Sequence, residues 1–251
     1  MPEMTAYLLR PAAPEGLRVE RGSVRVFPGA MEYDPLKHAP GACRDFLGLD
    51  GSDEAVGGFV ERFGLLLARR DDALPASEHI ESVWEPRRRW LAYLYGLHRM
   101  ATDGLPLGDF VRIQDGVAFM REPDLGGATI QGLTHPPAGC WVRPLRPVND
   151  DDLRSAVQFW VGDWLASVLQ VRFALHPWQG GSGWSIKLPT LWDMILWQAG
   201  RDLAGQDKFR SCASCGRWLL WNPKMDADPM RTACSDACRQ RLHRARLRSA
   251  A

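Results

Sequence analysis

The sequence predicts an α+β chain with a mainly helical amino-terminal domain, small β pieces and a short carboxy-terminal module built on cysteines. Three observations favour this class. Apolar residues recur at helical spacing in several runs, short segments alternate apolar and polar residues, and two close cysteine pairs lie near the carboxy terminus. Turn-forming residues at 205–207 place the boundary between a domain of residues 1–205 and a module of residues 206–251.

The charge of the chain is unevenly distributed. A length of 251 residues with 45% hydrophobic content is enough for a packed core, and the net charge is only +1. From Asp207 onward, however, ten Lys/Arg stand against four Asp/Glu, while the preceding part has 21 against 26. This asymmetry favours contact of a polyanion with the carboxy-terminal module and disfavours a nucleic-acid surface on the body.

The compartment is predicted from two absences in the sequence. The sequence has no apolar run of the roughly eighteen residues that a membrane helix needs, and its first residues do not resemble a signal peptide. We therefore expect a cytoplasmic protein without a membrane partner. In a reducing compartment, Cys43 and Cys140 are expected to be small buried apolar side chains.

The amino-terminal elements follow from local patterns. Alternating residues over 17–27, on either side of Gly22, predict a β-hairpin. Helices are predicted near Ala42 and from Asp53 to Gly64, the second with an apolar stripe. The stripe consists of Val56, Phe59, Val60 and Phe63.

A longer helical run is predicted from Ser77 to Met100, broken or kinked at Pro86. It contains three consecutive arginines at 87–89. Because consecutive helical residues point in different directions, a solvated face paired with nearby glutamates is a better interpretation than a phosphate site. These glutamates are Glu78, Glu81 and Glu85.

In the rest of the body, the sequence predicts strands, loops and two capped helices. Short strands and loops are predicted for residues 105–147. Two further strands are predicted at 171–175 and 184–188, joined by a glycine-rich loop over 176–183. Acidic residues at 150–152 predict the capped start of a helix running to Leu169, rather than a metal site. A capping box at Thr190 and Asp193 opens a helix that runs to Leu203.

Four cysteines form the most specific pattern in the chain. Cys212 and Cys215 are separated by two residues, and Cys234 and Cys238 by three. Such pairs can place four thiolates around one zinc ion, with Gly216 in the knuckle turn and Ser235 capping a helix. The alternative is a disulfide pair or unrelated thiols, which the absence of a secretory signal disfavours. The sequence thus predicts a treble-clef-like zinc finger.

The helix after the last cysteine is basic around most of its circumference. Five of its arginines are candidate contacts to DNA phosphates, namely Arg239, Arg241, Arg244, Arg246 and Arg248. The alternative is that several of these arginines pair with acidic residues of the body, which would pack the helix against that domain.

The finger resembles the CGNR-type zinc finger of bacterial proteins. The residues that carry the resemblance are the Cys212–Gly216 knuckle, Trp218-Leu219, Arg231 and the run 233–241. The family motif Cys-Gly-Asn-Arg reads Cys238-Arg239-Gln240-Arg241 in this chain, so the match is to a broader group of bacterial carboxy-terminal fingers. Residues 46–66 and the helix leading into Phe209 also resemble this family. The resemblance implies an ABATE-like body and a role in stress-linked transcription regulation.

Three classes of function are compatible with these patterns. The leading prediction is a zinc-dependent DNA-binding regulator whose body senses a ligand or mediates assembly, including self-association. The second is a scaffold whose finger docks on a protein partner. The third is an enzyme with its site in the body and a merely structural zinc, although the sequence contains no recognisable catalytic constellation.

Overall fold

The computed structural model shows a mixed arrangement of helices and small sheets. It describes residues 3–5, 8–11, 17–20, 22–26, 30–33, 41–68, 76–108, 110–114, 117–120, 123, 125, 149–170, 172–178, 181–205, 208–215, 218–221, 233 and 236–249. The helices are α1 (Ala42–Leu47), α2 (Asp53–Phe63), α3 (Glu85–Thr102), α4 (Asp150–Val168), α5 (Leu191–Leu203) and α6 (Asp236–Ser249). None of these helices is both long and apolar enough to cross a membrane.

The strands form several small sheets. They are β1 (Glu3–Thr5), β2 (Leu8–Pro11), β3 (Leu17–Glu20), β4 (Ser23–Val26), β5 (Ala30–Tyr33), β6 (Ala76–His79), β7 (Val111–Gln114), β8 (Val117–Met120), β9 (Arg172–Trp178), β10 (Gly181–Lys187), β11 (Lys208–Ser211) and β12 (Trp218–Trp221). Two sheets have three strands, in the orders β1-β10-β9 and β3-β4-β6. The strands β2-β5, β7-β8 and β11-β12 pair in twos.

Aromatic side chains fill the core between the first five helices. The ring of Phe46 in α1 contacts Phe59, Trp84 and Trp192, with centroids 5.8, 6.1 and 5.9 Å away. The apolar stripe predicted for α2 is buried. Five tryptophans are buried in this core, namely Trp84, Trp90, Trp160, Trp164 and Trp192.

The predicted hairpin is confirmed and gains a third strand. Gly22 takes a positive φ of 72° between β3 and β4, a conformation that costs glycine little. Strand β6 pairs with the other edge of β4, with Ser23 opposite His79. The helical prediction for 77–79 is therefore wrong, because alternate residues there face the core and solvent and the backbone completes a sheet.

Helix formation begins later than predicted. A π-helical turn at Ile80–Trp84 leads into α3, which starts at Glu85. Pro86 lies in the first turn of α3, where the missing N–H has no partner to lose. The predicted break at this proline is thus the beginning of the regular helix.

The three arginines of α3 have different environments. Arg88 and Arg89 donate to the carboxylate of Glu85, as predicted for a solvated face paired with glutamates. Both hydrogen bonds lower the pKa of Glu85, and the one from Arg88 has the larger effect. Arg87 departs from that prediction because it is only 5% exposed. Its Nη1 donates to the carbonyl of Val83 at 2.9 Å, and burial lowers its pKa.

Both predicted helix caps are confirmed. The side chain of Asn149 accepts a hydrogen bond from the amide of Asp152 at 2.8 Å, and Thr190 accepts one from the amide of Asp193 at 3.1 Å. These contacts satisfy backbone donors that have no partner in the first helical turn. The cap of α4 is therefore Asn149, while the aspartates at 150–152 lie in the first turn, where negative charge interacts favourably with the helix dipole.

The glycine-rich connection before α5 is largely strand. Strands β9 and β10 pair in antiparallel register up to Trp178 opposite Gly181. The predicted loop over 176–183 is wrong in extent, because backbone pairing continues almost to the tip of the hairpin. Within the weakly patterned 105–147 stretch, β7 and β8 form another hairpin, as predicted for short strands.

The predicted domain boundary follows the end of α5. Gly205 has a φ of 66° two residues beyond Leu203, and β11 begins at Lys208. Helix α1 lies against both α5 and β12, so the body and the cysteine module are in contact. That residues 1–205 fold independently of the module stays a prediction.

Candidate metal centre

Three cysteines near the carboxy terminus form one cluster. The Sγ atoms of Cys212, Cys215 and Cys238 all lie within 4.8 Å of one another. Around a zinc ion with Zn–S bonds of about 2.3 Å, tetrahedral geometry separates sulfur atoms by about 3.8 Å. The three residues are therefore close enough to share one metal ion.

Local structure brings these cysteines together. Strands β11 and β12 pair with Ser211 opposite Trp218, so the chain must turn between them, and Cys212 and Cys215 lie in that connection. Cys238 is the third residue of α6. In the first turn of a helix, the positive end of the dipole favours a thiolate.

The cluster has a buried side and an exposed side. Cys212 and Cys238 are only 2% and 4% exposed, whereas Cys215 is exposed. Three thiolates in this setting form a soft donor set of the kind that binds zinc and related metals. The cluster contains three of the four predicted ligands. Cys234, Gly216 and Ser235 lie outside the described residues, so the fourth ligand, the knuckle turn and the serine cap stay predictions.

The predicted DNA contacts lie on a solvent-facing helix. All five arginines of α6 are exposed, as is His243. These arginines are Arg239, Arg241, Arg244, Arg246 and Arg248. Arg239 and Arg246 also take part in interactions within the protein. The helix thus joins a buried cysteine in its first turn to a basic surface along the rest of its length.

A polar network in the body was not predicted from the sequence. Tyr95 donates to Oδ2 of Asp202 at 3.0 Å, and Arg44 binds both carboxylate oxygens of Asp202 at 3.0 and 2.7 Å. The Sγ of Cys43 lies 3.4 Å from the phenol oxygen of Tyr95. Because the phenol proton goes to Asp202, the thiol is the donor in that contact. The residues are far apart in sequence and share no motif that could have revealed the network.

Cys43 is buried, as the sequence predicts, and its environment keeps the thiol protonated. Burial is the main cause, and it raises the pKa of this thiol from 9.0 to about 12. Thiolate is the nucleophilic form, so this cysteine is unsuited to catalysis at neutral pH. Cys140 lies outside the described residues.

We expect Cys43 to resist alkylation in the native protein. At pH 8, iodoacetamide should modify it at least 100-fold more slowly than in the denatured chain, as measured by peptide mass spectrometry. Tyr95→Phe should not accelerate the reaction, because burial is the main cause of the raised pKa. Rapid labelling of Cys43 in the folded protein would contradict this assignment.

The same pKa shift predicts a pH dependence of stability. Above pH 9 the unfolded chain loses the thiol proton that the native protein keeps up to about pH 12. The contribution to stability is therefore complete below pH 9 and declines as the pH rises toward 12. Urea unfolding of Cys43→Ala should lack this component of the decline.

Comparisons with known proteins do not assign this fold and centre to a family. No protein-family model, curated protein or solved structure matches the chain. The fold and the cluster define a mixed helix-and-sheet protein with a three-cysteine centre near its carboxy terminus. The resemblance to CGNR-type and ABATE-like proteins stays a prediction from the sequence.

Proposed function

We propose that the chain is a zinc-dependent DNA-binding protein in which α6 contacts the phosphate backbone. Cys234 completes a four-thiolate zinc site with Cys212, Cys215 and Cys238. The metal holds the first turn of α6 against the β11-β12 hairpin. A regulatory role in transcription, with the body sensing a ligand or mediating assembly, follows from this assignment.

The observation that supports this proposal is the exposure of the basic residues on α6. Cys238 is 4% exposed, while the arginines that follow it are exposed over the remaining three turns. A helix that docked on the body through its arginines would bury part of this surface. Solvent-facing guanidinium groups on a metal-anchored helix suit contacts to phosphate oxygens.

Salt dependence measures the number of phosphate contacts. If the five arginines of α6 contact phosphates, the affinity for duplex DNA should fall with salt at a double-logarithmic slope of about −4 to −5. Arg244→Ala with Arg248→Ala should flatten the slope by about two units, because each lost contact releases one counterion fewer. Fluorescence anisotropy with a labelled duplex measures both slopes.

The choice of variants separates local contacts from overall charge. Arg239 and Arg246 have interactions within the protein, whereas replacing Arg244 and Arg248 avoids that complication. The matched control is Arg25→Ala with Arg112→Ala, which removes two exposed arginines from β4 and β7. Zinc content should be the same in the wild type, the α6 variant and the control variant. An unchanged slope in the α6 variant, or salt-insensitive binding by the wild type, would favour a scaffold role.

A further inference from the structure

An open groove lies between three helices of the body. Its volume is about 360 Å³, within the range of small-molecule sites, and residues of α3, α4 and α5 line it. Its walls are mostly apolar, with Val161 and Leu165 on α4 and Leu196 on α5. No sequence motif predicts this groove, because the three helices are brought together only by the fold.

The groove has a polar end and an apolar end. The end of α4 lies beside the start of α5, because the amide of Gln170 donates to Asp193 at 2.8 Å. Lining residues continue from Gln158 to Leu169 and from Leu196 to Ala204, so the two helices run antiparallel along the groove. Leu169 and Leu196 therefore lie toward one end of the groove, and Gln158 and Arg201 toward the other.

Helix α3 adds its own polar group to the second end. Thr102 of α3 accepts a hydrogen bond from the side chain of Gln158 at 3.2 Å, and its hydroxyl lies 3.5 Å from Nδ1 of His98. His98 thus lines the groove beside Gln158. The guanidinium of Arg201 stacks over the ring of Trp197 at 4.9 Å. The charge of Arg201 and the hydrogen-bonding groups of His98 and Gln158 therefore lie at this end.

Two glycines line the groove, one on α4 and one on α5. Gly162 of α4 and Gly200 of α5 both line it, and a Cβ placed on either would meet no heavy atom within 4 Å. Glycine inside a helix is less stable than alanine, and packing does not require it at these positions. The two glycines keep the groove wide at the expense of helix stability.

We propose that this groove binds an elongated amphipathic carboxylate. The carboxylate lies at the end formed by His98, Gln158 and Arg201, and an unbranched apolar tail runs toward Leu169 and Leu196. Along α4 the lining extends from Gln158 to Leu169, which corresponds to roughly 16 Å of helix. The combination of an apolar trough with polar groups at one end favours this class over a compact polar metabolite.

Binding can be tested with decanoate on the zinc-loaded full chain, without DNA. Isothermal titration calorimetry should show one decanoate site per chain, and decyltrimethylammonium should bind at least tenfold more weakly because its head group is cationic. No detectable decanoate binding at millimolar concentration, or equal binding of the cation, overturns the proposal. DNA binding by α6 does not enter this measurement, so the two proposals fail independently.

Filling the groove tests its location. Gly162→Leu with Gly200→Leu should weaken decanoate binding at least tenfold without lowering Tm, because leucine is the better helix former and the added Cβ atoms have space. The matched control is Gly58→Leu, at an exposed position of α2 where a Cβ also meets nothing within 4 Å. It should leave decanoate affinity unchanged. Wild-type affinity in the filled variant would overturn the assignment.

A second variant tests the polar end without changing the width of the groove. Arg201→Gln should weaken decanoate binding at least fivefold and leave the binding of decanol unchanged, because decanol carries no charge. The same loss for both ligands would point to a structural role of Arg201. Unchanged decanoate binding would overturn the placement of the carboxylate.

Discussion

Replacing Cys212 by serine is expected to abolish stoichiometric zinc binding and to unfold the carboxy-terminal module. The sulfur of Cys212 is nearly buried and lies within 4.8 Å of the other two clustered sulfurs. In small metal-stabilised modules, metal binding contributes about 10–16 kcal/mol and is inseparable from folding. Within the described part of the module, the β11-β12 hairpin and the exposed α6 bury too little apolar surface to replace that contribution. Elemental analysis and hydrogen exchange over 208–249 measure both effects.

The appropriate control for this substitution is Cys43→Ala, which removes a buried thiol from the body. It should retain one zinc per chain. In Cys212→Ser the body should keep a cooperative melt, because its helices share a core of their own. Loss of that melt would instead show that the body and the module fold as a single unit through contacts such as α1 with β12. Full zinc content in Cys212→Ser, measured under reducing conditions, would contradict the assigned ligand.

Glu78→Ala is expected to destabilise the body by about 3 kcal/mol. Glu78 is 7% exposed, and its carboxylate accepts hydrogen bonds from the amides of Leu66 at 2.9 Å and Leu67 at 2.6 Å. Burial raises the pKa of this carboxyl, and the two amide bonds and the nearby charge of Arg87 oppose that shift. Alanine leaves both amides without an acceptor, and an unsatisfied buried donor costs about 1–3 kcal/mol.

Urea unfolding monitored by circular dichroism measures this loss. A change of about 3 kcal/mol corresponds to a decrease in Tm of about 6–12 °C for a chain of this size. Glu81→Ala is the matched control, since Glu81 is an exposed glutamate in the adjacent π-helical turn. It should change stability by less than about 0.5 kcal/mol. Equal effects of the two substitutions would show that the buried carboxylate does not hold the 66–67 segment.

Much of the secondary structure could be predicted because its causes are local. Asn149 and Thr190 cap helices through amides three residues away, and Gly22 permits the turn of a hairpin whose strands are adjacent. The apolar stripes of α2 and α4 likewise follow from helical periodicity. The cysteine cluster was predictable in part, since metal coordination restricts ligand spacing whatever the surrounding fold.

By itself the sequence determined the capped starts of α4 and α5, the first hairpin and the pattern of the cysteine pairs, because short-range geometry and ligand chemistry specify them. Only the tertiary structure decided that 76–79 joins a sheet, that Arg87 is buried while its neighbours are solvated, and that Cys43 and Asp202 share one network. It also decided the groove between α3, α4 and α5. The physical reason is that strand pairing, burial and cavities depend on which distant segments meet, and those contacts outweigh local preference.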